Sequence, residues 1–538
     1  MERNRFIHVK NIIFPCLLLS TIAGMFTGAL IFLFKIAASA VISYSVKIYA
    51  FFRADPAWLP LFLVGAALLG LFAWLILCNA PHCRGGGIPT AVAILRGLIP
   101  FHWIKSIFFL FASAMLTFLG GVPLGNEGPS VQMGTAVGRG TVRIFANKHQ
   151  AWDRYIMTGG ACAGFSAATG APVTGIFFAF EEAHRRFSPM IFMSAATAVI
   201  ASTATMELLC GISGTSSAMF HLSIDVTLPL RYIYTALIIG VICGTFAMLF
   251  TKVYRFFRNL IQKRLSRIPF LCKIIVIFTA TALIGFVFAQ CTGSGHALID
   301  ELLEGRGVWY LLILYLCIRA LLLIFANNVG VTGGLFIPQL TFGAILGALC
   351  ARTMTAIGIL PSQYYVIMVV IGMASFLGAS LRTPITAVMF AVEALCGLSN
   401  LLPIMIGVTF SFLVIETLGV PAFNDTVIEG KVEEENAGKK PRIVDTYLTV
   451  QPNSFVVGKE IRDILWPPTC VILSVEKAST ERSHMPPGIG ARDVLHVHYL
   501  TYEPRKTTKE LEALVGKQKR DTRMSMHPGS DSHQVPEL

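Results

Sequence analysis

Gly125-Asn-Glu-Gly-Pro-Ser-Val-Gln-Met-Gly134 sets one carboxylate, Glu127, between Gly125 and the pair Gly128-Pro129. Long apolar runs lie on both sides. An ionisable residue inside such runs is costly to hold in a membrane and marks a functional position.

The surrounding chain supports the membrane reading. Of 538 residues, 54% are hydrophobic and 14% charged, against about 25% charged in an ordinary soluble domain. Apolar runs recur at Ile12–Phe52, Trp58–Cys78, Ile107–Leu119, Tyr232–Phe250, Ile274–Ala289, Trp309–Ala326 and Ile367–Leu377. A membrane-spanning helix needs about 20 apolar residues. Several runs are shorter or broken by Gly and Pro, and the first is long enough for two helices or one long tilted helix. That run also exceeds any signal-peptide core. Arg3, Arg5 and Lys10 precede it, which places the N-terminus in the cytoplasm by the positive-inside tendency. Residues from Gly430 onward hold 16 Lys+Arg and 15 Asp+Glu, so +12 of the net +13 lies before them. Basic loops such as Lys252–Arg267 fit cytoplasmic membrane loops, and no basic soluble domain suggests nucleic acid. The 12 cysteines are scattered without a C-x-x-C pair. They read as small core residues, not as metal ligands or disulfides.

The chain repeats itself. Gly125-Asn-Glu-Gly-Pro129 aligns with Gly334-Leu-Phe-Ile-Pro338 at an offset of 209, as do Gly134 with Gly343 and Gly138 with Gly347. Pro172–Glu181 (PVTGIFFAFE) aligns with Pro384–Glu393 (PITAVMFAVE) at an offset of 212, identical at five of ten positions. Repeated halves with broken helices point to a transporter whose binding site lies where half-helices meet.

Three Gly/Pro interruptions sit in the apolar region: Arg84–Thr90 (RGGGIPT), Gly125–Ser130 (GNEGPS) and Gly333–Leu340 (GGLFIPQL). Each puts glycines before a helix and Pro near its first turn. A helix start leaves four N–H groups unpaired and carries roughly half a positive charge. Several such ends together make an anion site without a fixed Lys or Arg, which suits conduction because the anion must also leave.

These motifs resemble the signatures of the CLC chloride channels and chloride/proton antiporters, GSGIP, GREGP and GxFxP. They stand here as Gly85-Gly-Gly-Ile-Pro89, Gly125-Asn-Glu-Gly-Pro129 and Gly334-Leu-Phe-Ile-Pro338. The resemblance covers about Asn11 to Thr426. It implies an all-α polytopic membrane protein with an inverted repeat of tilted and broken helices. It also implies a homodimer with one pore per subunit, using chloride and protons and no cofactor. The backbone N–H groups of Leu335, Phe336 and Ile337 would face the anion. Gly85 and Gly86 would lie nearer the cytoplasm, with Gly125, Asn126 and Gly128 framing the gate. Glu127 matches the family's gating glutamate, which occupies an anion position when charged and swings away when protonated. Glu182 matches the internal proton-relay position of the antiporters, where the channels usually carry an uncharged residue. Glu181 resembles a residue that helps water reach the path. Glu393, its repeat partner, fits a structural glutamate.

Three positions depart from the chloride pattern. Gly86 replaces the Ser of GSGIP, a position that tunes anion preference in the family. Asn126 replaces the Arg of GREGP and removes a cation from the outer mouth. Phe423, in Val420-Pro-Ala-Phe-Asn424, replaces the usual Tyr. Two hydroxyl donors are thus missing, and restoring Ser at 86 and Tyr at 423 is expected to tighten anion binding. The alternatives are a passive voltage- or proton-gated anion channel of the same fold and a weakly coupled, less selective anion transporter. The motifs depart less than those of the fluoride exporters do. A membrane enzyme lacks support, because no nucleophile–base pair, P-loop or metal cluster is present. A scaffold built on an inactive transporter would not explain two retained acids.

Residues 1–428 are expected to form the transport domain and 429–441 a charged linker. Residues 442–503 are expected to form a small cytoplasmic α+β domain, and 504–538 a disordered tail. Tyr447–Val450, Cys470–Val475 and Val494–Tyr499 alternate as strands, and Val457–Leu465 reads as a short helix. The pattern resembles the C-terminal lobe of RCK regulatory domains, which implies a regulatory module with a possible small-molecule ligand. His496 and His498 share one strand face, open to a metal or pH role.

Overall fold

The computed structural model describes residues 13–146, 150–220, 226–478, 488–518 and 524–528; Arg3, Arg5 and Lys10 lie outside them. Apolar length and Gly/Pro punctuation set the order of helices. The first run is one helix, α1 (Phe14–Ala54), followed by α2 (Leu59–Asn79), α3 (Gly87–Leu95), α4 (Trp103–Leu119) and α5 (Glu127–Phe145). Next come α6 (Asp153–Thr169), α7 (Pro172–Phe178), α8 (Pro189–Ser213), α9 (Ile233–Arg264) and α10 (Phe270–Val287). The remainder of the bundle is α11 (His296–Leu303), α12 (Trp309–Val329), α13 (Phe336–Ala356), α14 (Tyr365–Leu381), α15 (Pro384–Ala391), α16 (Leu401–Thr417) and α17 (Phe423–Glu435). Among the described residues nine helical segments are long and apolar enough to cross a membrane. Their burial sorts them. The segment ending α14 is 89% buried in its most apolar window and α13 78%, whereas the segment holding α2 is 28% buried. The first two are enclosed by protein, while α2 turns side chains such as Phe72 outward.

The repeat extends beyond the two motif pairs. Gly24 and Gly28 of α1 meet Ala198 and Ser202 of α8; Gly240 and Gly244 of α9 meet Gly407 and Ser411 of α16. Gly134 of α5 lies on Gly160 of α6, and Gly343 of α13 on Gly372 of α14. A β-carbon at Gly24, Gly28, Gly134, Gly240, Gly244 or Gly343 would strike the facing backbone, so small residues set the helix separation. Ser202 donates to Ala163 O at 3.2 Å and Ser411 to Ser375 O at 2.8 Å, the same bond in each half. The halves are α1 with α5–α8 and α9 with α13–α16.

A reciprocal pair of helix caps joins them. Pro172 and Pro384 each open a half-helix, leaving the next N–H groups without partners in an apolar setting. Glu393 accepts from Val173 N at 2.8 Å, Thr174 N at 2.7 Å and Thr174 Oγ1 at 2.6 Å. Glu181 accepts from Ile385 N at 3.0 Å, Thr386 N at 2.6 Å and Thr386 Oγ1 at 2.7 Å. Each half supplies the acid that caps the other, a contact only a two-fold relation generates.

α17 continues through the expected linker to Glu435. Strands β1 (Arg442–Thr449), β2 (Val471–Glu476), β3 (Val494–Thr501) and β4 (Met524–Pro528) then form an antiparallel sheet in the order β2-β3-β1-β4. The short helix expected over Val457–Leu465 shrinks to one turn, Ile461–Asp463. The tail expected to be disordered instead carries α18 (Pro504–Val515) and β4. Its charged residues hid an amphipathic period that buries Leu511, Leu514 and Val515. His498 Nδ1 lies 2.9 Å from Asp445 Oδ1 and His496 stacks on Tyr447 at 4.3 Å, so both are engaged within the sheet. No cluster of metal-binding side chains occurs among the described residues.

The module docks beside the membrane bundle. Tyr155 Oη donates to Asp463 O at 2.9 Å and accepts from Leu465 N at 3.0 Å. Arg154 reaches Trp466 O at 2.6 Å, and Arg186 reaches Ile464 O at 3.0 Å.

The caps yield a prediction. Glu181→Ala and Glu393→Ala each strip three hydrogen bonds from a half-helix start, and each should cost about 1–3 kcal/mol. Thermal unfolding in detergent should show two similar decreases in Tm.

Candidate functional site

The three glycine-rich interruptions meet. Gly125 N donates to Gly334 O at 2.8 Å and Gly334 N to Gly125 O at 2.6 Å. Gly87 N donates to Gly333 O at 3.3 Å and Gly85 N to Gly330 O at 3.0 Å. Gly128 closes the cluster: a β-carbon there would stand 2.6 Å from Gly334 Cα and 3.1 Å from Gly87 N. The starts of α3, α5 and α13 are therefore stitched together by backbone. None of the three has a side-chain cap. Gly85, Gly86, Gly125, Asn126, Gly128, Leu335, Phe336 and Ile337 all belong to this junction.

Glu127 stands in its centre. It is fully buried, no side chain among the described residues pairs with either carboxylate oxygen, and the groups that face it are the backbone N–H groups of Glu127 and Ile337, short of full hydrogen-bond geometry. Its Oε2 lies over Gly125, where a β-carbon would collide with it and stand 3.6 Å from Ile337 Cβ. Only glycine at 125 leaves room for this carboxylate. A buried, unpaired carboxylate is unstable unless it is protonated or faces partial positive charge. The starts of α5 and α13 supply that charge. Lys35 of α1 adds a weaker, longer-range attraction than the backbone N–H groups of Glu127 and Ile337 do. Lys35 Nζ is held by Ser217 O at 2.6 Å.

Glu182 occupies a separate environment. It lies in a π-helical turn, Ala179–Ala183, matched in the second half by Val392–Cys396. It is 6% exposed and accepts a hydrogen bond from Asn424 Nδ2. Arg96 grips the carbonyls of Glu182 and Ala183 at 2.9 and 3.0 Å and pairs with Asp425 at 3.3 Å. Arg186, four residues on, touches the C-terminal module. Glu182 thus sits on the module's side of the bundle, and Glu127 at the glycine junction. Glu181, by contrast, has both oxygens committed to the cap of α15.

Phe423 is fully buried, 5.1 Å from the ring of Phe250 and 4.8 Å from that of Tyr254. Three polar residues near this junction escaped sequence reasoning. Tyr254 Oη donates to Asn327 Oδ1 at 2.7 Å. Asn327 Nδ2 lies 3.0 Å from the place a β-carbon on Gly86 would take, and Leu335 Cδ1 lies 2.7 Å from it. Added bulk at 86 would therefore displace these groups, which changes the expectation for Ser at that position. Lys431 of α17 donates to Arg84 O at 2.5 Å and to Thr90 Oγ1 at 2.6 Å, and its Nζ would be 3.2 Å from a β-carbon on Gly85. The only sequence signal was an Asn pair ending an apolar run and a Lys in a segment that looked like a solvated linker.

Two related half-bundles whose broken helices meet around a buried acid define a membrane protein that passes small anions. The chain belongs to the voltage gated chloride channel family, whose model matches residues 65–416. It is 29% identical over 416 residues to the H(+)/Cl(-) exchange transporter ClcA of Vibrio cholerae serotype O1, covering 75% of this chain and 86% of that protein. The ClcA of Vibrio parahaemolyticus serotype O3:K6 is 26% identical over 428 residues, covering 77% and 90%. A slow cyanobacterial Cl-/H+ antiporter superposes with a TM-score of 0.70 at 24% identity, covering 78% of this chain and 99% of that one. A CLC-type fluoride/proton antiporter gives a TM-score of 0.63 at 20% identity, covering 75% and 96%. These two structures show the fold.

Lys431 gives a prediction. Lys431→Met removes the cation beside Gly85 and should raise the KM for chloride on the module's side about tenfold, equivalent to about 1.4 kcal/mol. Flux into proteoliposomes of known orientation measures it.

Proposed function

We propose that the chain is a secondary-active chloride/proton antiporter. The observation that carries this reading is a fully buried, unpaired Glu127 at the junction of three uncapped helix starts, in a chain with a second buried acid at Glu182. The anion rests among the N–H groups of Leu335, Phe336 and Ile337 and the backbone at Gly85 and Gly86. Charged Glu127 competes for that place; protonated Glu127 loses the attraction to the helix starts and withdraws. Protons from the cytoplasm pass through Glu182. Glu181 is left out of the relay, because its oxygens cap α15.

The bundle sits as a homodimer in the inner membrane of a prokaryote, with both termini cytoplasmic and one path per subunit. The C-terminal sheet acts as an RCK-like regulatory module for a small-molecule ligand, and its contact with Arg186 leads toward Glu182. One observation favours looser coupling or a passive channel: neither 86 nor 423 carries a hydroxyl.

Paired chloride and proton fluxes in proteoliposomes test the reading. A chloride gradient should drive protons against their own gradient. Glu182→Gln should abolish proton movement while chloride flux persists. Glu127→Gln should uncouple transport and remove its pH dependence, whereas in the unmodified protein flux should rise as falling pH protonates Glu127. Chloride flux without proton movement in the unmodified protein would establish a channel instead.

A further inference from the structure

We propose that the side-chain amide of Asn327 is a direct donor to the transported anion, and that Tyr254 is its positioning residue. The inference rests on the junction being an anion path. It adds a residue that lies in none of the three glycine motifs.

Asn327 is in the last turn of α12 and only 6% exposed. A primary amide offers two N–H donors and one acceptor oxygen. The oxygen is taken by Tyr254 Oη at 2.7 Å. Nδ2 is buried and has no acceptor among the described residues. Leaving a buried donor unpaired carries the full desolvation penalty, so Nδ2 calls for an occupant that the protein itself does not provide.

Its position names the occupant. Nδ2 lies 3.0 Å from where a β-carbon on Gly86 would stand, and Gly86 is the residue directly before α3. Gly86 bridges to Gly333 at the junction. An N–H donor beside an uncapped helix start accepts only an electron-rich partner. Lys431 Nζ, against Gly85, makes the neighbourhood more positive and disfavours a cation. A small monovalent anion such as chloride has the required polarity.

Tyr254 explains why the amide points this way. Its hydroxyl donates to Oδ1, and with the oxygen held toward α9 the amide turns Nδ2 toward Gly86. The Tyr254 ring is set edge-on to Phe423 at 4.8 Å and 73°. The bulk of Phe423 thus contributes indirectly, by holding the tyrosine that holds the amide. In this chain an amide on α12 takes over the donor function that Gly86 cannot perform.

Chloride titration calorimetry on the purified full-length protein tests this, with thermal unfolding as a check on folding. Asn327→Ala should weaken chloride binding about ten- to a hundredfold, the range of one hydrogen bond to a charged group. Tyr254→Phe should weaken it about three- to tenfold and add nothing in the Asn327→Ala background, because its effect runs through the amide. Gly86→Ser should bring no gain, since its side chain displaces Leu335 and the amide. Unchanged chloride affinity in a folded Asn327→Ala protein overturns the proposal. Additive losses for Tyr254→Phe and Asn327→Ala overturn the positioning role. Should Asn327→Ala fail to fold, Tyr254→Phe decides: native affinity in that variant counts against the mechanism. If the unmodified protein binds no chloride, the anion-path reading itself fails, a result distinct from any of these.

Discussion

Everything in this site depends on how closely three backbones approach one another. Gly125 and Gly334 exchange both of their hydrogen bonds, and Gly128 lies where any β-carbon would press on Gly334. Side chains at these positions would push the starts of α5 and α13 apart. The partial charges of separated helix ends would then act on different points in space. Brought together, they make one region of positive potential with no formal positive charge at its centre. A carboxylate can be buried there, and an anion can be bound without being trapped.

The same economy of partial charges runs through the rest of the bundle. Glu181 and Glu393 cap the half-helices α15 and α7, so these starts are closed to any anion. The starts of α3, α5 and α13 have no side-chain cap and are open. Of the formal cations, Lys431 lies against Gly85 and Lys35 is held by Ser217 O, so neither belongs to the glycine motifs themselves.

Much of this was legible in the sequence because it rests on glycine, proline and their spacing. Three Gly/Pro interruptions in apolar runs identified the helix starts, and offsets of 209 and 212 identified the repeat. What remained hidden depended on partners far apart in the chain. Glu181 was read from the resemblance as a residue that helps water reach the path, and nothing local announced its partner Thr386, 205 residues away. Gly86 and Phe423 registered as lost hydroxyls, since nothing local revealed that Asn327 and Tyr254 come to the same place. Lys431 was masked by a charged segment that continues as helix α17. The amphipathic face of α18 was obscured by the charges around it.

The central claim is that an anion rests where the starts of α3, α5 and α13 meet. Anomalous diffraction from crystals grown in bromide tests it most directly. The account predicts a bromide peak within hydrogen-bonding distance of the Phe336 and Ile337 amides or of the Gly86–Asn327 pair, stronger when Glu127 is replaced by Gln. Bromide peaks found only at the protein surface, with none at the glycine junction, would contradict it.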